Sequence, residues 1–66
     1  MTYVDLPPDD YRDVEVQTDD GLWHPGRLQA YRQVEGVWSA FVRYSTGPGE
    51  NRLGWFEEPR IRSAKN

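Results

Sequence analysis

The sequence predicts an all-β fold: a five-stranded small barrel preceded by an extended N-terminal arm. Three observations lead there. Apolar and polar residues alternate over short runs bounded by Gly, Pro, Asp and Asn, and no segment of useful length follows the 3.6-residue period of a helix. One long run also carries an internal Pro25-Gly26 pair, which would bend a strand enough to curl a small sheet on itself. At 66 residues there is room for one domain with one small core, and a chain of this size buries only about 60% of its unfolded surface.

Residues 1–11, "MTYVDLPPDDY", carry two prolines and three aspartates without sustained periodicity and read as an extended acidic arm. Tyr3, Val4 and Leu6 are its apolar anchors. Residues 12–66 are the expected barrel. "RDVEVQT" alternates with Val14 and Val16 on one face, and "DDG" is a turn in which Gly21 can take positive φ. "LWHPGRLQAYRQV" is a long second strand with its bulge expected at Pro25-Gly26, and Leu28 and Ala30 point inward. The third strand, "VWSAFVRY", puts Trp38, Ala40, Val42 and Tyr44 on one face and Val37, Ser39, Phe41 and Arg43 on the other.

The loop between these two strands sets the register. A two-residue turn at Glu35-Gly36 would oppose Leu28 to Arg43 and place an arginine on the core face. A three-residue "VEG" loop opposes Leu28 to Val42 and Ala30 to Ala40, and is the expectation taken. It leaves Arg27, Gln29, Tyr31, Phe41 and Arg43 on the outer face. "STGPGEN" is then a flexible connection, "RLGWF" a fourth strand, "EEP" a single 3₁₀ turn and "RIRS" a last strand anchored by Ile61.

Composition excludes several functions. With no cysteine and one histidine, thiolate zinc sites and disulfides are absent, so neither metal nor other cofactor is expected. No apolar run is long enough for a membrane span, and a cytoplasmic protein is the default. Net charge is −3, split between residues 1–20, with seven acids against Arg12 (−6), and residues 21–66, with four acids against seven bases (+3). Overall acidity opposes non-specific nucleic-acid binding, although the folded part alone is basic. His24 has no partnered nucleophile, and Asp19-Asp20 and Glu57-Glu58 are adjacent residues that point apart, so an enzyme is not expected.

The run "VEVQTDDGLWHPGRLQAYR…VWSAFVRYSTG…LGWFEEPRIR" resembles SH3-like small barrels, especially those of Tudor type, over residues 12–62. The residues that carry the likeness are Val14, Val16, Asp20-Gly21, Trp23-His24-Pro25, Leu28, Ala30, Val42-Arg43-Tyr44 and Ile61. "GWFEEPRI" is similar to the close of SH3 domains, and the paired "WHPG" and "GWF" resemble short actinobacterial proteins, which implies a bacterial origin. The resemblance implies a barrel that binds a protein or peptide. It does not carry over the methyl-reading cage, whose four positions fall on Gln17, His24, Tyr44 and Gly47 and keep one aromatic. The SH3 polyproline site is not carried over either, for want of its early motif.

The expected function is therefore a non-enzymatic module that binds a protein or peptide through an aromatic–arginine surface. Trp23, Tyr31, Phe41, Tyr44 and Trp55 supply apolar contact, and Arg27 and Arg43 supply charge. The alternative is a nucleic-acid-binding barrel modulated by its acidic arm. A third reading is an accessory subunit with no ligand of its own, and exposed aromatics and unpaired strand edges also invite a homodimer.

Overall fold

A computed structural model describes residues 2–64. It is all-β: strands β1 (Thr2–Asp5), β2 (Arg12–Gln17), β3 (Trp23–Val34), β4 (Val37–Gly47), β5 (Glu50–Glu57) and β6 (Ile61–Ser63), with 3₁₀ turns at Pro8–Asp10 and Glu58–Arg60. All pairings are antiparallel. The sheet runs β5-β4-β3-β2-β6, and β1 lies beside β3. Among the described residues β5 and β6 do not pair, so the sheet is curled but not closed by a hydrogen-bonded ladder.

Among the described residues the strand count is six rather than five because the arm is partly built into the sheet. β3 has twelve residues and β2 only six, so β2 covers just the Trp23–Leu28 half of β3. The edge left open beyond is taken by β1, from Thr2 opposite Gln33 to Asp5 opposite Ala30, and the Leu6 amide continues the ladder to the Gln29 carbonyl at 3.0 Å. Burying this edge satisfies backbone groups that would otherwise face solvent.

The β2–β3 turn forms at "TDDG" as its composition dictates. Gly21 has φ of 85° and donates its amide to the Thr18 carbonyl at 2.9 Å. The Asp20 carboxylate accepts both the Leu22 amide and the Thr18 hydroxyl.

The β3–β4 hairpin corrects the expected loop. Val34 opposes Val37, leaving a two-residue turn with Glu35 at φ 52° and Gly36 at φ 80°, the doubly positive φ of a type I′ turn. Ala30 consequently opposes Phe41. The ladder then shifts between Leu28 and Ala30, so that Gln29 is an extra residue and Leu28 regains Val42 as its partner. The bulge that keeps Arg43 off the core face is thus at Gln29, not at Pro25-Gly26. Pro25 and Gly26 sit in regular register opposite Glu15 and Val14. The flexible connection expected at 45–51 is shorter as well: β4 runs on to Gly47 and pairs with β5 through Ser45–Asn51 and Gly47–Glu50.

One face of this sheet carries the core. Val14 and Val16 from β2 meet Ala40 and Val42 from β4, with Val16 and Val42 fully buried. Leu28, Tyr31, Tyr44, Phe56 and Ile61 pack around them. Phe56 comes from one end of the sheet and Ile61 from the other, so the curl brings both ends onto a single core. Gly26 marks the tightest approach: a Cβ there would lie 2.8 Å from the Arg43 carbonyl oxygen and 2.8 Å from Val42 Cγ1.

Candidate binding surface

Directly opposed residues of neighbouring strands share a face, and successive residues alternate. The register therefore assigns every strand residue to the core-bearing inner face or to the outer face. Phe41, Arg43, Ala30, Arg27, Trp55, Leu53, Arg32 and Tyr3 fall on the outer face, linked by the pairs Ala30–Phe41, Phe41–Trp55, Arg27–Arg43, Arg43–Leu53 and Tyr3–Arg32. Ala30 is 1% exposed without belonging to the inner core, lying between Asp5 of β1 and Phe41 of β4.

The centre of the outer face is an aromatic cluster. The Phe41 and Trp55 rings lie 5.3 Å apart and tilted, and the Tyr3 ring reaches Trp55 at 6.1 Å from β1. The Arg32 guanidinium stacks over the Trp55 ring at 3.9 Å, and its Nε donates to the Ser39 hydroxyl at 3.4 Å. Of the seven large apolar residues left exposed among the described residues, five (Tyr3, Val34, Val37, Leu53 and Trp55) lie on this one face. At its far end a hollow of about 460 Å³ opens between Arg27, Arg43, Gln29, Tyr11 and Asn51.

Of the seven residues singled out from sequence, Arg27, Phe41, Arg43 and Trp55 come together here. Trp23 has outer-face register, opposite Gln17, but lies under the Arg62 guanidinium at 4.1 Å, and Arg62 also donates to Glu15 at 2.8 Å. Two residues take the inner face. Tyr31, expected outside, opposes Ala40 and packs against the core with Trp38 at 5.7 Å, because the Gln29 bulge reverses the alternation beyond Leu28. Tyr44 stacks edge-on against Phe56 at 5.2 Å and lies 6.3 Å from His24. Tyr31 and Trp38 instead line an inner groove of about 500 Å³ with Leu6, Leu28 and Ile61.

Tyr3 and Arg32 are site residues that the sequence reading missed. For Arg32 the signal was the Glu35-Gly36 dipeptide: taken as a two-residue turn, it places Arg32 on the face of Phe41 directly. His24 is anchored rather than poised. Its Nε2 is within hydrogen-bond distance of the Thr18 hydroxyl at 3.1 Å. The hydrogen bond from Thr18, then that from the Leu22 amide, hold the Asp20 carboxyl below its ordinary pKa of 3.8. Among the described residues no group of His, Asp and Glu is arranged to hold a metal ion, and no helix is long and apolar enough to cross a membrane.

No protein-family model, curated protein or solved structure matches this chain.

Proposed function

We propose that the chain is a non-enzymatic binding module of SH3/Tudor-like type whose outer face takes an extended segment of a protein partner. The observation that carries this reading is the concentration of five exposed large apolar side chains on one sheet face, beside an arginine stacked on a tryptophan. Aromatic and arginine side chains supply most of the energy at protein interfaces, and exposed apolar side chains gathered on one face of so small a chain mark a surface that a partner covers. The order of elements supports the barrel type: a strand, an Asp-Gly turn, a long bent strand, a Val-Arg-Tyr strand, and a closing strand after one 3₁₀ turn.

Charge favours a protein over a nucleic acid. Among the described residues the outer-face arginines Arg27, Arg32, Arg43 and Arg62 are equalled in number by Asp5, Asp13, Glu15 and Glu57, so this face carries no net positive charge to draw a phosphate backbone. The test is selection from a displayed library of random peptides on the immobilised chain, followed by binding of the selected peptides to the Phe41→Ala and Trp55→Ala variants. Selected peptides that lose affinity for both variants support the proposal. A library that yields no binder, or binders indifferent to both substitutions, refutes it. Labelled oligonucleotides that bind tightly at low salt and release steeply as salt rises would favour the alternative instead.

A further inference from the structure

We infer that the hollow at the Arg27–Arg43 end of the outer face seats a single carboxylate of the bound peptide, two residues from an apolar side chain that lies on Phe41 and Trp55. The inference rests on the peptide-binding reading and adds the chemistry of its polar contact.

The starting point is a mismatch. The register sets Arg27 directly opposite Arg43, and like charges so placed repel. Only one is compensated: Arg27 Nε donates to Asp13 Oδ1 at 3.2 Å, while Arg43 has neither hydrogen bond nor ion pair among the described residues. The two guanidinia border a concavity of about 460 Å³ into which Tyr11, Gln29 and Asn51 also contribute polar groups. Carboxylate, amide and hydroxyl groups thus share the hollow with both arginines, yet among the described residues none of them bonds the second guanidinium.

Charge selects the occupant. Two guanidinia and the Asp13 carboxylate leave the hollow with one positive charge. A carboxylate neutralises it. A dianionic phosphate would overshoot and stand against Asp13 as well. Geometry then supplies a spacing. Arg43 and Phe41 are two residues apart on the same face of β4, about 6.7 Å along the strand, which is also the spacing of alternate side chains in an extended peptide. A segment running along β4 with an acidic residue at one position and an apolar residue two further on meets both features together. Leu53, opposite Arg43 and 59% exposed, flanks the hollow on the β5 side.

The experiment uses fluorescein-labelled Gly-Glu-Ser-Leu-Ser-Phe-Gly, its twin with Gln for Glu, and its twin with phosphoserine for Glu. The full chain and its Arg43→Gln variant are titrated with each, and circular dichroism checks that the variant is folded. The Glu peptide is expected to bind about fivefold tighter than the Gln peptide, the yield of one charge-assisted contact at a solvent-facing site. Arg43→Gln should abolish that preference. Equal binding of the Glu and Gln peptides, a preference that survives Arg43→Gln, or tighter binding of phosphoserine each overturns the inference. If no peptide binds, the peptide reading fails for these sequences, and the hollow is judged by the monoanion N-acetylglutamate α-methylamide alone. Saturable shifts of the arginine Nε–Hε resonances, lost in Arg43→Gln, uphold the carboxylate seat, and their absence overturns it.

Discussion

Gly26→Ala should be among the most damaging single-methyl changes in this chain, and Gly54→Ala should be harmless, although both glycines lie inside paired strands. At Gly26 the new Cβ would meet the Arg43 carbonyl oxygen at 2.8 Å, Val42 Cγ1 at 2.8 Å and Tyr44 Cβ at 3.0 Å. The first of these is backbone, so relief requires β3 and β4 to move apart beside the fully buried Val42. Overpacking of this kind costs about 1–3 kcal/mol. Removing a glycine also restricts the unfolded chain, which returns roughly 0.4–1 kcal/mol where φ is compatible, as it is here. The net loss is about 1–2 kcal/mol. A domain of this length has roughly 3–10 kcal/mol in all, so Tm should fall by about 5–15 °C. At Gly54 the nearest atom is Phe56 Cε2 at 3.5 Å, an ordinary contact, and Ala should leave Tm unchanged or raise it slightly. Thermal melts followed by circular dichroism give both numbers. If Gly26→Ala melts with the parent chain, or Gly54→Ala is the worse of the two, the close β3–β4 approach described here is wrong.

Val42→Ala, at 0% exposure in the middle of the core, should cost about 1.5–3 kcal/mol in chemical denaturation, whereas Arg60→Ala, which breaks an exposed pair with Asp19, should cost less than about 1 kcal/mol. Asp20→Asn should lower Tm at neutral pH. Because the folded carboxyl titrates below its ordinary value of 3.8, its contribution is present above that value and is lost as pH falls through the folded pKa. Melts of the two proteins should therefore converge only below pH 3.8, and a gap that persists in strong acid would exclude the turn's carboxylate as its cause. Arg32→Ala uncovers the Trp55 ring and should shift tryptophan emission to longer wavelength in the folded state; an unchanged spectrum would argue against the stack.

The elements were largely legible in the sequence because each is local. Alternation at Val14 and Val16, the Asp-Gly turn, and the Glu-Glu-Pro 3₁₀ turn before Ile61 all follow from neighbours within a few residues. What was not legible is where the chain takes up one extra residue. Glu35-Gly36 is a strong two-residue turn signal, but in isolation it points Arg43 into the core. The protein keeps the turn and adds the bulge at Gln29, and nothing at Gln29 itself marks it, since the need arises across the ladder from Val42. That one displacement moved Tyr31 inward and hid Arg32 from the sequence reading. β1 was obscured for a similar reason: Thr2–Asp5 becomes a strand only because β3 outruns β2.

The proposed function puts the partner on the outer face and not in the inner groove. Backbone and side-chain amide resonances of the full chain, titrated with a peptide selected on it, test this most directly. The predicted result is a set of saturable shifts confined to Tyr3, Arg32, Phe41, Arg43, Leu53 and Trp55 and their strand neighbours. Shifts centred instead on Leu6, Leu28, Tyr31, Trp38 and Ile61 would place the partner in the inner groove and contradict the account.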